Sequence, residues 1–195
     1  MTFFSAAITL LLIMDPFGNS LAFLSLLKDF SNRRRRIIIL REMVIALVIL
    51  VLFLFFGKYI LAGMNISEPA LEIAGGVILF IIAIRMIFPA ATDPTDSPSE
   101  EPIVVPLAVP LIAGPSSMAM LILFSTANPG KIGLLLFALL ASWAVSLVVL
   151  QFANALNRLI GRRGMNALAR LMGMILTTMA VQMFLNGITV YTNHL

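Results

Sequence analysis

Ile45-Ala-Leu-Val-Ile-Leu-Val-Leu-Phe-Leu-Phe-Phe56 is a run of apolar side chains with no polar residue between them. A strand of a membrane barrel would alternate apolar and polar positions over about 10 residues. A spanning helix needs instead about 20 mostly apolar residues, with a range of about 17–25. Working outward, this run extends over 37–62, and five more of the kind follow the same rule: 3–27, 69–89, 103–127, 131–156 and 165–190. The predicted fold is all-α, a polytopic membrane protein of six transmembrane helices.

Composition agrees with that reading. Of 195 residues, 61% are hydrophobic and 11% charged, with a mean hydropathy of +1.06. A soluble domain carries about 25% charged residues to meet water, and a disordered chain needs low hydrophobicity and high charge. Both classes are excluded. The first run has no basic residue before Lys28, so it lacks the n-region of a removable signal peptide and is expected to remain as a span. Cysteine is absent and the single histidine is His194, which leaves no disulfide frame, Cys nucleophile or His-rich metal cluster. No cofactor or metal is expected, and no phosphate-binding G-x-x-x-x-G-K-[ST] loop is present.

The net charge of +4 is distributed unevenly. Lys28, Arg33, Arg34, Arg35, Arg36 and Arg41 bracket the first loop. Arg158, Arg162, Arg163 and Arg170 bracket the fifth, and Arg85 closes the third span. In a six-span arrangement these fall on one side, with only Lys58 and Lys131 on the other. Lys/Arg excess marks cytoplasmic loops, which predicts that both termini are periplasmic. The Arg33–Arg36 run is therefore read as a topology signal and not as a nucleic-acid site.

Residues 90–102 hold four acids and three prolines, the composition of a flexible linker. They divide the chain into a first three-helix repeat, 1–89, and a second, 103–195. An offset of 97 residues aligns Gly76–Phe88 with Gly173–Leu185, with identities at Gly76/Gly173, Ile78/Ile175, Leu79/Leu176, Ala83/Ala180 and Met86/Met183. An offset of 96 pairs Gly18 with Gly114 and Ser20 with Ser116. Because three is odd, the second half must enter the membrane from the opposite face. That is an inverted repeat, the plan of many secondary transporters.

Two spans are interrupted. Asp15-Pro16-Phe17-Gly18-Asn19-Ser20 lies within span one, and Pro106, Pro110 and Ala113-Gly114-Pro115-Ser116-Ser117 lie within span four. Proline removes a helical donor and bends its predecessor away from helical dihedrals. Asp15-Pro16 and Gly114-Pro115 each read as a cap followed by proline at the first helical position, so helices 1 and 4 are predicted to be broken. Freed backbone groups at membrane depth are tolerated where they line a protein-walled cavity. Half-helix N-termini there suit a carboxylate. Asp15, Pro16, Phe17, Gly18, Asn19, Ser20, Gly114, Pro115, Ser116 and Ser117 are the candidate substrate-binding residues. Two plainer readings stand beside this one: Asp15 only caps its half-helix, and the small residues only let helices pack closely.

Asp15, Glu42 and Glu72 are the candidates for ion coupling, since ionisable groups at depth are rare and costly. Pairing or snorkelling is the alternative for Arg41, Glu42, Glu72 and Arg85. Gln182 and Asn186 either extend a polar path or bond across helices. Methionine and phenylalanine are read as packing material.

The residues Asp15 to Asn19, with Pro106-Leu-Ala-Val-Pro110-Leu-Ile-Ala-Gly114-Pro115, Ala74-Gly75-Gly76 and Met172-Gly173, resemble the MarC/SnatA family of six-span inner-membrane proteins. The resemblance covers essentially the whole chain. It implies a bacterial inner-membrane protein with three-plus-three inverted helices and, as in the transporter members, movement of small neutral amino acids such as glycine and alanine. Carried over by motif, the substrate region is Asp15 to Ser20 and Gly114 to Ser117. Ser116 and Ser117 stand where a further glycine is common in the family, which bears on substrate size. The implied partners are a neutral amino acid, H+ or Na+ as coupling ion, and membrane lipid; a homo-oligomer is left open.

Two other classes compete. Gly114-Pro115-Ser116-Ser117 superficially resembles the serine motif of membrane undecaprenyl-pyrophosphate phosphatases. The arginine and glutamate those enzymes need are absent beside it, and a serine hydrolase would want a histidine base. The expectation is therefore no enzyme. A non-transporting membrane scaffold or regulatory protein is the stronger alternative.

Overall fold

In a bilayer each backbone N–H and C=O must pair within its own segment or within a closed barrel, and this chain pairs them in helices. The computed structural model describes residues 2–27, 30–88 and 112–192. Among them are seven α-helices and no strand: α1 Phe3–Met14, α2 Pro16–Leu26, α3 Asn32–Gly63, α4 Glu68–Ile87, α5 Pro115–Ala127, α6 Ile132–Gln151 and α7 Ala153–Thr192. A 3-10 turn, Pro129–Lys131, joins α5 to α6. Five helical stretches are long and apolar enough to cross a membrane, and Ser116–Ala127 is a shorter apolar helix. The linker at 90–102 and the beginning of the expected fourth span, with Pro106 and Pro110, lie outside the described residues.

Short polar residues start the helices. The side chains of Thr2, Ser31 and Ser67 accept the N–H of Ser5, Arg34 and Ala70, the third residue beyond each cap. α3, with 32 residues, is about 48 Å long at 1.5 Å per residue. That exceeds a hydrocarbon core of about 30 Å, so its arginine-bearing first turns reach past the apolar layer. α7 is kinked at Gly161, whose φ of 74° and ψ of 166° are not helical. The span-forming part of α7 begins after that point. Large apolar side chains such as Phe4, Phe137 and Leu159 stay exposed on the outside, as lipid permits and water does not.

The most extensive packing is between α4 and α7. A Cβ placed on Gly76 would lie 2.9 Å from the Ala180 carbonyl oxygen, 3.0 Å from the Phe184 nitrogen and 3.3 Å from Met183 Cβ. One placed on Gly173 would lie 2.9 Å from Ile87 Cγ1, 3.0 Å from the Ala83 oxygen and 3.1 Å from Met86 Cβ. Glycine is required at both positions because neighbouring backbone occupies the space of a side chain. Gly187 likewise faces Pro69 and Ile73, so residue numbers rise on α4 as they fall on α7 and the two helices run antiparallel.

Around this seam, α2 lies against α6 and α7, and α5 lies against α3 and α4. Each short helix thus packs on the two long helices of the other half. α6 is tied in by polar side chains in the middle of an apolar helix. The Ser142 hydroxyl donates to the Ala7 carbonyl of α1 at 2.7 Å, and Trp143 Nε1 donates to the Met43 carbonyl of α3 at 2.7 Å.

Candidate functional site

The first break is one residue wide. Asp15 adopts φ 39° and ψ 66°, a left-handed conformation that Asp tolerates better than most residues. Its N–H still bonds the Leu11 and Leu12 carbonyls, closing α1, while its own carbonyl accepts from Asn19 N–H at 3.0 Å, opening α2. Asp15 Oδ1 accepts the Gly18 N–H at 3.1 Å, so the carboxylate caps the start of α2. Asn19 Nδ2 reaches back over the break to the Met14 carbonyl at 2.8 Å, and the Ser20 hydroxyl donates to the Phe17 carbonyl. Asp15, Pro16 and Ser20 are buried; Phe17, Gly18 and Asn19 are half-buried.

The second break follows the same logic with different chemistry. Gly114 is the cap of α5, extended at φ −81° and ψ 165°, and Pro115 occupies the first helical position. With no side chain at the cap, no side chain accepts the N–H groups of the first turn, and the Ser117 hydroxyl serves the carbonyls before it instead. It donates to the Ile112 carbonyl at 3.1 Å and to the Gly114 carbonyl at 2.8 Å. Gly114, Ser116 and Ser117 are all buried. The backbone makes Asp15-Pro16 and Gly114-Pro115 the matching positions, which is one helical turn away from the Gly18/Gly114 match in the sequence.

The structure spaces the two breaks along the α4–α7 seam. The methyl of Met86 closes over Gly18 at one level, while Ser116 Cα lies beside Gly75 at another, with the methyl of Met183 against the same glycine. Gly75 and Met86 are about three turns apart on α4, a separation shortened by the reach of the Met86 side chain. Met86 and Met183 are the paired methionines of the 97-residue offset. The sequence marked them as packing material, and only the fold places one over each break.

A cleft of about 510 Å³ opens at the end of the bundle remote from the arginines. Glu72, Gln182, Asn186, Thr9 and Thr126 give it a polar wall, and Met120 and Met183 lie at its base. Gln182 Nε2 donates to Asn186 Oδ1 at 2.8 Å, an i to i+4 pair along α7 rather than a bond to another helix. The cleft therefore unites Glu72 with the two amides that the sequence singled out separately. Met183, which lines it, also has its methyl against Gly75, beside Ser116 in the first turn of α5. Glu42 is far from this cleft, near the arginine end of α3. It is 1% exposed, accepts from Arg41 through Oε1 at 2.9 Å, and has no partner for Oε2.

The family model of the MarC family integral membrane protein matches residues 1–192. The chain belongs to the MarC family. A MarC relative from Escherichia coli K12, UPF0056 inner membrane protein YhgN, is 48% identical over 189 residues, 96% of each chain. A UPF0056 membrane protein of Buchnera aphidicola subsp. Baizongia pistaciae is 48% identical over 188 residues, 94% of each chain. Similarity extends to a UPF0056 membrane protein of Chlamydia muridarum, 34% identical over 183 residues, 93% of this chain and 90% of that one. No solved structure matches this MarC-family chain.

Proposed function

We propose that this chain is a secondary transporter of small neutral amino acids in the bacterial inner membrane, working by alternating access between two inverted three-helix repeats. The observation that carries this reading is the pair of buried half-helix starts at Asp15-Pro16 and Gly114-Pro115. Each lies under one methionine of a seam whose contacts recur at the same offset in both halves. Reciprocal glycine contacts between antiparallel helices are what a pseudo-two-fold axis in the membrane plane requires. They support six spans in the inverted arrangement, and the arginine bias supports periplasmic termini.

On this reading, the cleft with Glu72, Gln182 and Asn186 is the periplasmic entry. Met183 is the gate beneath it, and the groups around Gly114–Ser117 and Asp15–Ser20 receive the substrate. An ammonium is drawn by Glu72 and a carboxylate by a half-helix start. Asp15, Glu42 and Glu72 are the candidates for coupling to H+ or Na+. The reading assigns no catalytic role and no cofactor.

The test is uptake of labelled glycine and alanine by proteoliposomes under imposed proton or sodium gradients. Gradient-dependent accumulation is expected, and Asp15→Asn and Gly114→Leu should both reduce it. Absence of uptake for every amino acid tested would overturn the proposal; wild-type rates in both variants would remove the site.

One observation favours the scaffold reading instead. Asp15 is used by Gly18 N–H, and the hydroxyls of Ser20 and Ser117 are used by local carbonyls, so these three side chains have partners with no ligand. Normal membrane insertion combined with an absence of transport would select that reading.

A further inference from the structure

The arginine end of the bundle holds more than a topology signal requires. Orientation in the membrane needs positive charge near the span ends but not a particular shape. Here Arg35 and Arg36 of α3 and Arg158 of α7, far apart in sequence, line one cleft of about 420 Å³ between the helices. Arg35 is held in place: its Nε and one terminal nitrogen donate to the Leu27 carbonyl at 3.1 and 2.8 Å, and the other to Asn154 Oδ1 at 2.8 Å. Gln151, at the end of α6, bonds the Arg36 carbonyl at 3.1 Å and fixes the opposite wall.

Negative charge is scarce among the described residues around this cleft. Among the described residues the arginine end has one carboxylate, Glu42, and Arg41 already pairs with it. A second basic groove, lined by Arg33, Arg34 and Arg41, is partly occupied by its own contacts. Arg34 lies 5.9 Å over the Phe30 ring and Arg41 is the partner of Glu42. At the rim of the first cleft, Phe152 is 61% exposed, and Leu159 nearby on α7 is 85% exposed. Cations around a cavity with large apolar side chains beside it match a phosphate that carries acyl chains. A free phosphate would leave the apolar rim bare.

We propose that the cleft between α3 and the α6–α7 corner binds the headgroup of an anionic glycerophospholipid. Arg36 and Arg158 contact the phosphate, Arg35 forms a fixed third side, and an acyl chain runs along Phe152. Basic pockets between membrane helices on the cytoplasmic side are suited to such headgroups.

The test uses the full chain in a neutral detergent, with retained lipid counted by native mass spectrometry. Phosphatidylglycerol, phosphatidylcholine and inorganic phosphate serve as probes. Arg36→Gln with Arg158→Gln should weaken phosphatidylglycerol retention about 25-fold, the product of roughly fivefold for each cation removed. Phosphatidylcholine retention should not change, and Arg33→Gln with Arg34→Gln should retain phosphatidylglycerol like the wild type. If the double variant fails to fold, Arg158→Gln alone should show the fivefold loss. Equal wild-type retention of both lipids would overturn the proposal. So would an equal loss in the Arg33/Arg34 variant, which would indicate a diffuse field and no site. Displacement of the lipid by millimolar inorganic phosphate would assign the cleft to free phosphate instead.

Discussion

Replacing Gly76 by alanine tests the α4–α7 seam most directly. The new Cβ would stand 2.9 Å from the Ala180 oxygen and 3.0 Å from the Phe184 nitrogen, where ordinary contact begins at 3.4 Å. Both neighbours are helix backbone and cannot rotate away, so the helices must part by about 0.5 Å, a gap that forfeits about a quarter of each affected contact. Over-packing of this kind costs about 1–3 kcal/mol. Alanine also returns up to about 1 kcal/mol of helix propensity relative to glycine. Gly133→Ala separates the two effects, since Gly133 lies in the first turn of α6 with open space around it. For a chain of this length 1 kcal/mol moves the unfolding midpoint by about 2–4 °C. Thermal unfolding of the detergent-solubilised variants should therefore place Gly76→Ala about 2–12 °C below Gly133→Ala. Gly173→Ala should fall slightly less, because one of its three close contacts is the Ile87 side chain, which can yield. If Gly76→Ala melts with or above Gly133→Ala, the seam is loose and the packing argument fails.

Three more outcomes follow from individual contacts. Asp15→Asn keeps an acceptor for the Gly18 N–H and should stay within about 1 kcal/mol of wild type, whereas Asp15→Ala loses the cap and should cost about 1–2 kcal/mol, both read by the same thermal assay. Ser142→Ala breaks the bond to Ala7 in α1 and should destabilise by about 0.6 kcal/mol, the average of such bonds in membranes. Ser146→Ala should change the midpoint less, because its hydroxyl bonds only the Ser142 carbonyl of its own helix. Trp143→Phe removes the second donor to the Met43 carbonyl, which keeps its helical bond within α3, and should cost about 0.5–1.5 kcal/mol, seen as a lower midpoint with the helical circular dichroism unchanged at low temperature.

Much of the bundle was legible because a bilayer leaves few choices. Continuous apolar runs had to be helices, and the described helices follow the expected spans, with α3 starting earlier at Asn32 and α6 ending earlier at Gln151. The caps were legible too, since Asp-Pro and Gly-Pro have a local meaning that does not depend on neighbours. What the sequence could not supply was rotation and depth. Ser142 and Trp143 can donate in any fold, but only the turn of α6 about its axis points them at Ala7 and Met43. The stagger of the two breaks, and Met86 and Met183 as their covers, depend on how far α2 and α5 slide along the seam.

The inverted repeat proposed above and the asymmetry of its side chains together bear on the proposed mechanism. At the 97-residue offset, Glu72 corresponds to Ala169 and Gln182 to Arg85. One end of the seam thus offers a carboxylate and an amide where the other offers a methyl group and a guanidinium. Backbones related by a two-fold axis can exchange conformations at little cost, because each state repacks the same Gly–Ala–Met contacts. On the proposed mechanism, a solute that meets Glu72 at one end of the seam and Arg85 at the other does not meet equal ends. In a transporter built on this plan, the repeat would supply the ability to alternate, and the substitutions at its two ends would bias which charged group of a zwitterion enters first.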